Sequence, residues 1–284
     1  MSKVIKPVLL NKTGQKIVDE LHQQNLLLDI LSGTIVEEVE TFADIQMLVK
    51  SGMASKFFNI GDQIVVSWTD SYSGITYQVP FDIVHFGHVT TQSGTNKVPA
   101  MYLQWHYTTP RQIMFNTDDN EGNILWSESY IREWLNSDTF MSGFENDFLS
   151  ILCPTEVITS GGNTFDTFYL PSLNNMNISC SNASTEYPQD LIDTYKTEGE
   201  VFDYWKDLSN DTLMKIFEFD TNYGELKFFE IGSQGSKRIL LRSSISKYNQ
   251  YDQIWHINID GGANSQYPYY TSMDWRCTPI CVIC

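Results

Sequence analysis

The sequence predicts an α+β fold. Two observations lead there. The hydrophobic period changes near Phe57, from helical spacing to the close spacing of strands, and β-rich runs then return all the way to the C-terminus. The helical stretches are grouped near the start and middle instead of alternating with every strand, as a parallel α/β sheet would require. With 284 residues, 42% of them hydrophobic, the chain can build one large core, with or without an appendage.

The first candidate helix covers residues 12–31. Leu10, Ile17, Gln24 and Leu31 fall seven apart, and Gly14, Leu21 and Leu28 form the interleaved series. This weak seam reads in two ways. It is an oligomerisation helix working through Ile17, Leu21, Gln24, Leu28 and Leu31, or an amphipathic helix lying on its own domain. Gly33 can end it, and "SGTIVEEVE" reads as a linker. The expected division is an N-terminal segment, 1–40, and a main domain, 41–284. A second helix is expected over Phe42–Lys50, with Thr41 and Gly52 as its caps.

Strands follow in "FFNIGDQIVVSW", "ITYQVPFDIVHFGHV" and "AMYLQWHYT", which are rich in aromatic and β-branched residues. In "LWSESYIREWLN" Ser127 is placed to cap a helix, with Tyr130, Ile131, Trp134 and Leu135 on one face and Arg132 and Glu133 on the other. A short helix in "GFENDFLSILC" and strands in "TFYLPS", "RILLRSS" and "QIWHINIDGG" come next. A helical turn is expected near 202–208.

The closing "RCTPICVIC" holds three of five cysteines. As one strand, it would put Cys277 and Cys281 on one face roughly 13 Å apart, too far for a single ion whose Zn–S bonds are about 2.3 Å. The odd cysteine count without framework spacing predicts free, buried thiols in a chain made in a reducing cytosol. Pro279 argues for an edge or a bulge, whereas apolar residues on both faces argue for a central strand, and both readings stand.

A net charge of −17 repels phosphate and argues against nucleic acid as a partner. No apolar run is long enough to span a membrane. No nucleophile elbow, P-loop or dinucleotide fingerprint occurs. His85, His88 and His106 invite a metal reading, yet no Glu or His stands at helical i,i+4 spacing to complete a zinc motif, and they are expected to be core-edge histidines. "NTDDNEGN" reads as a solvated turn. Neither metal nor cofactor is expected, and no carboxylate pair stands out among 35 acids as catalytic.

At Ser129, Arg132, Trp134, Leu135 and Asn136 the chain resembles a domain family of gut bacteria and their phages that carries a Ser-x-x-Arg-x-Trp-Leu-Asn helix. Later motifs match in the same order: 169–172 as "YLPS", 240–243 as "LLRS", "INIDGG", and "TPICVI" at the close. Ser244 stands where that family usually has Pro, and Cys277 where it has an aliphatic residue. The opening "PVLLNKTGQKI" is similar to the start of phage members. The resemblance implies a C-type-lectin-like domain, with its last strand beside its first, behind an N-terminal attachment segment. It implies a non-enzymatic virion structural protein, a capsid decoration or tail adhesin, assembled in the host cytoplasm. Its partners would be other virion proteins, copies of itself (a trimer among the options), and host-surface or mucus glycans or proteins.

The expected binding face joins Tyr248, Asn249, Tyr251 and Asp252 with Tyr267, Tyr269, Tyr270, Asp274 and Trp275. Aromatic rings beside Asn and Asp supply stacking faces and directional hydrogen bonds. The alternatives weighed against this are loops packed onto the sheet, a binding module outside any virion, and an enzyme acting on cell-wall polysaccharide.

Overall fold

The computed structural model describes residues 4–5, 39–94, 96–117, 125–178, 193–194, 196–206, 238–248, 251–258, 263–266 and 275–284. Ile17, Leu21, Gln24, Leu28 and Leu31 lie outside them, as do Asn249, Tyr267, Tyr269, Tyr270 and Asp274. Side chains are not described at 4–5, 238, 245–248, 251–253, 258 and 263–266.

Helix α1 (Phe42–Lys50) forms where expected. Thr41 and Asp44 make a reciprocal capping box, each side chain accepting from the other's backbone N–H. Its end is a Schellman turn: Met53 N–H donates to the Leu48 carbonyl and Gly52 N–H to that of Val49. Gly52 sits at φ +70°, where a side chain would be strained. Phe42, Ile45, Leu48 and Val49 turn inward. A single turn, α2 (Ala54–Phe57), leads into the sheet.

Strands β2 (Gln63–Thr69), β3 (Thr76–Thr90) and β4 (Lys97–Trp105) form an antiparallel meander. β1 (Val4–Ile5) pairs parallel with β2. The period-2 burial of β2 shows a half-covered strand, whereas Phe81 through His85 of β3 are all buried. A register shift between Ile83 and His85 breaks the alternation there and places His85 opposite Tyr102.

After a 3-10 turn at Trp126–Glu128 come three short helices, α3 (Tyr130–Leu135), α4 (Asp138–Met141) and α5 (Asn146–Leu149). The cap of α3 is Ser129, not Ser127: the 3-10 turn occupies Ser127, and the Ser129 hydroxyl accepts from Arg132 N–H. Phe140, Phe144, Phe148 and Phe168 meet Trp68, Phe81 and Trp105 in one aromatic core.

The hairpin β5 (Thr155–Val157) and β6 (Thr164–Asp166) precedes β7 (Phe168–Tyr169). Helix α6 (Asp203–Lys206) matches the expected turn. β8 (Arg238–Tyr248), β9 (Tyr251–Asn258), β10 (Ala263–Gln266), β11 (Trp275–Arg276) and β12 (Ile280–Ile283) complete the chain. Among the described residues the strands form three sheets, in the orders β1-β2-β3-β4-β12-β7, β10-β9-β8-β11 and β5-β6. The α+β class is therefore correct. The last strand inserts between β4 and β7 instead of lying beside the first.

The tail corrects two expectations. It is two strands in two sheets, broken at 277–279, so Pro279 sits at a junction and the following β12 is interior. That resolves the conflict between the proline and the apolar faces. The preceding segment runs alongside: Trp105 N–H donates to the Pro279 carbonyl, Thr109 N–H to Cys277 and Ile113 N–H to Trp275. The cysteines are not all free, because Cys153 is disulfide-bonded to Cys284. Cys277 and Cys281 are buried thiols. Trp275, expected on the binding face, is instead 1% exposed and edge-on to His256 in the core, since β11 is short and covered by 109–113. Tyr248, Tyr251 and Asp252 belong to strands β8 and β9, with Tyr248 opposite Tyr251, where a loop was expected.

Candidate ligand-binding cleft

The motif helix does structural work. Arg132 Nε donates to Asp166 Oδ1 at 2.7 Å, while Trp126 Nε1 and the Thr164 hydroxyl donate to Asp166 Oδ2. Asn136 Oδ1 accepts from Thr167 and Phe168 N–H, and its Nδ2 donates to the Arg132 and Phe168 carbonyls. Trp134 and Leu135 are buried. The Ser-x-x-Arg-x-Trp-Leu-Asn pattern thus fastens α3 to β6 and β7.

His85 and His106 are similarly engaged, whereas His88, also expected at the core edge, is exposed. His106 Nδ1 lies 2.6 Å from Asp82 Oδ2, and Gln63 Nε2 donates to Asp82 Oδ1. His85 bridges two carboxylates, with Nδ1 2.8 Å from Asp203 Oδ2 and Nε2 3.3 Å from Glu200 Oε1. Its ring stacks on Phe202 and tilts against Tyr102. Burial opposes a charge on His85, but hydrogen bonds and attraction from Glu200 and Asp203 outweigh it and raise the pKa above 6.5. The hydrogen bond from His85 lowers the Glu200 pKa, although burial opposes it. For Asp203, burial acts upward, but Lys206 and His85 hold the value down.

This bridge fixes the segment 196–206 against β3, and a cleft of about 240 Å³ opens beside it. One side is His88, Val89 and Thr90 of β3 with Lys97 and Tyr102 of β4. A second is Glu156, Val157 and Ile158 of the β5–β6 hairpin, and a third is Thr197, Gly199, Glu200 and Phe202. Tyr169, Asn175 and Arg242 complete the lining. Ile158 is exposed, and Asn163 Nδ2 donates to Glu156 Oε1 at 2.9 Å.

Arg242 is 2% exposed. Nη1 donates to the Leu170 carbonyl and Asn175 Oδ1, both at 2.6 Å, and Nη2 to the Glu198 carbonyl at 2.9 Å. Its guanidinium lies over the Tyr169 ring. Burial draws its pKa down, while the Glu198 charge opposes that shift. The buried Glu198 carboxylate is occupied elsewhere, accepting from the Ser243 hydroxyl at 2.5 Å and from Ser160 N–H at 3.1 Å. Gly199, at φ +86°, lets the backbone pass: a Cβ there would come within 2.9 Å of Asn175 Nδ2.

A second hollow, of about 670 Å³, lies beside the Cys153–Cys284 bond, between α1 and the end of β3. Charged groups converge in the first. Among the described residues no three His, Cys, Asp or Glu side chains come together as a metal site, and no helix is long and apolar enough to cross a membrane.

A family model described as a domain of unknown function, DUF6273, matches residues 109–283, more than half the chain. The chain belongs to the DUF6273 family. No curated protein and no solved structure matches it. The DUF6273 region contains the α3 motif, the hairpin wall, Glu200 and Arg242, while the β3 and β4 side of the cleft precedes it. Sequence reasoning passed over this cleft. Arg242 inside the apolar run "ILLRSS" was the available signal, because a charge in such a run must be buried with partners.

Proposed function

We propose that this chain is a bacteriophage virion structural protein, a capsid decoration protein or tail adhesin. Its α+β domain would be C-type-lectin-like, with a long excursion between β7 and β8, and would bind host-surface or mucus glycans or proteins without turnover. The observation that carries the binding is the cleft, where hydrogen-bonding side chains and aromatic rings share a small concavity held by the His85 bridge. Binding by preorganised groups loses little entropy on ordering. Attachment through 1–40, and placement on a particle, rest on the resemblance of the opening segment to phage proteins. A surface of net charge −17 suits display in many copies, since like charges keep particles apart.

Two measurements test this. Mass spectrometry of purified particles should find the chain, with gold labelling placing it on head or tail. The purified full chain should retain immobilised mucin and release it unmodified, and light scattering should give a homo-oligomer. Absence from particles removes the virion reading. Cleavage of the glycan, abolished by one carboxylate substitution, replaces a binding protein with an enzyme.

A further inference from the structure

We infer that the cleft selects a ligand carrying one carboxylate on a hydroxylated ring, an acidic sugar unit, with Arg242 and Lys97 as its anion-binding pair. This rests on the binding reading above and deepens it.

A guanidinium has five N–H donors. Arg242 uses three of them on Leu170, Asn175 and Glu198 oxygens. Its buried Nε makes no hydrogen bond. The two remaining donors are Nε–H and one N–H of Nη2, on neighbouring nitrogens. An N–H pair on neighbouring guanidinium nitrogens is the fork that a carboxylate accepts bidentately, with the free Nη2 hydrogen taken to be the one beside Nε–H.

The local charge points the same way. Among the described residues, no carboxylate lies within ion-pair distance of Arg242, since Glu198 is held by Ser243 and Ser160. The exposed Lys97 adds a second cation on the cleft wall. Glu200 is already matched by His85, and Glu156 accepts from Asn163. These two carboxylates can still accept hydrogen bonds from ligand hydroxyls, and they disfavour a second negative charge. A space of about 240 Å³ suits a single ring. Nε is shielded in the cleft, so a carboxylate reaches it by displacing the side chains that cover it.

The test is calorimetric titration of the full chain with glucuronate and galacturonate, against glucose and galactose. The acids should bind roughly tenfold or more tightly than the neutral sugars, as one added charge-assisted contact implies. Lys97→Ala, at an exposed position, should weaken acid binding several-fold more than neutral-sugar binding and leave the melting temperature unchanged. Arg242→Lys keeps the charge and loses the fork, and should abolish the preference for acids. Equal binding of acidic and neutral sugars, unaffected by Lys97→Ala, would overturn the inference and leave the binding reading standing. If none of the four binds while mucin is still captured, the inference also fails alone. If mucin is not captured either, the binding reading fails with it.

Discussion

Asn136 shows how much of a local fold a single side chain can hold. Its amide holds the start of β7 from both ends, accepting from two backbone N–H groups and donating to the Phe168 carbonyl. No other side chain of that length offers both an acceptor and a donor in one plane. Asn136→Ala should therefore destabilise the fold by about 1–3 kcal/mol, the range for leaving half-buried backbone groups unmatched. Urea unfolding measures it, and an unchanged midpoint would contradict the clasp. Asn136→Asp, which cannot donate, should fall between the two. The buried cysteines make a second prediction at this scale. Burial pushes the Cys277 thiol up to about 12, with Thr109 and Arg276 acting the other way, and pushes Cys281 up as well. Thiolate is the reactive form. Neither should be alkylated by iodoacetamide at pH 8 in the folded chain, and both should be alkylated after denaturation. Mass mapping of the labelled peptides decides it.

At the scale of elements, the His85 bridge ties α6 and the segment before it to the β3 bulge, and its strength should depend on pH. His85 is faced by Glu200, Asp203 and Tyr102, with Lys97 and Lys206 behind the carboxylates. A histidine pKa raised on folding stabilises fully below 6.5 and loses that contribution as pH climbs through the folded value. The lowered Glu200 and Asp203 values act oppositely, stabilising above 4.5 and 3.8 and losing it as pH falls through their folded values. The bridge is thus strongest between about pH 4.5 and 6.5. The melting-temperature gap between wild type and His85→Gln should be widest there and narrow on both sides. A gap independent of pH would show that His85 acts by packing alone. This bridge was not legible in the sequence, because its partners lie 115 and 118 residues away and only the fold joins them. Helix α1 was legible, with period, N-cap and terminal glycine all written within a dozen residues. The β2–β4 meander was legible for the same local reason. The break at 277–279 was not, because strand membership there is decided by 105–113 and β8, remote segments that pair with the tail.

For the whole molecule, the terminal tail is the joint. β11 pairs with β8 in one sheet and β12 lies between β4 and β7 in another, so nine residues couple both. The end is anchored three ways. Cys153 N–H donates to the Val282 carbonyl, Gln46 Nε2 donates to the Cys284 carbonyl, and Cys153 is bonded to Cys284 across a separation of 131 residues. The loop so closed contains β5 through β12 and with them two walls of the cleft. Cross-linking a loop of that length removes much conformational freedom from the unfolded chain, with a typical effect of about 2–4 kcal/mol. Reductant, or Cys284→Ser, should lower the melting temperature while the folded chain keeps its secondary structure. Thiol titration of the denatured, unreduced chain should find two fewer thiols than after reduction from this bond alone. Identical melting with and without reductant would show that the hydrogen bonds hold the tail unaided.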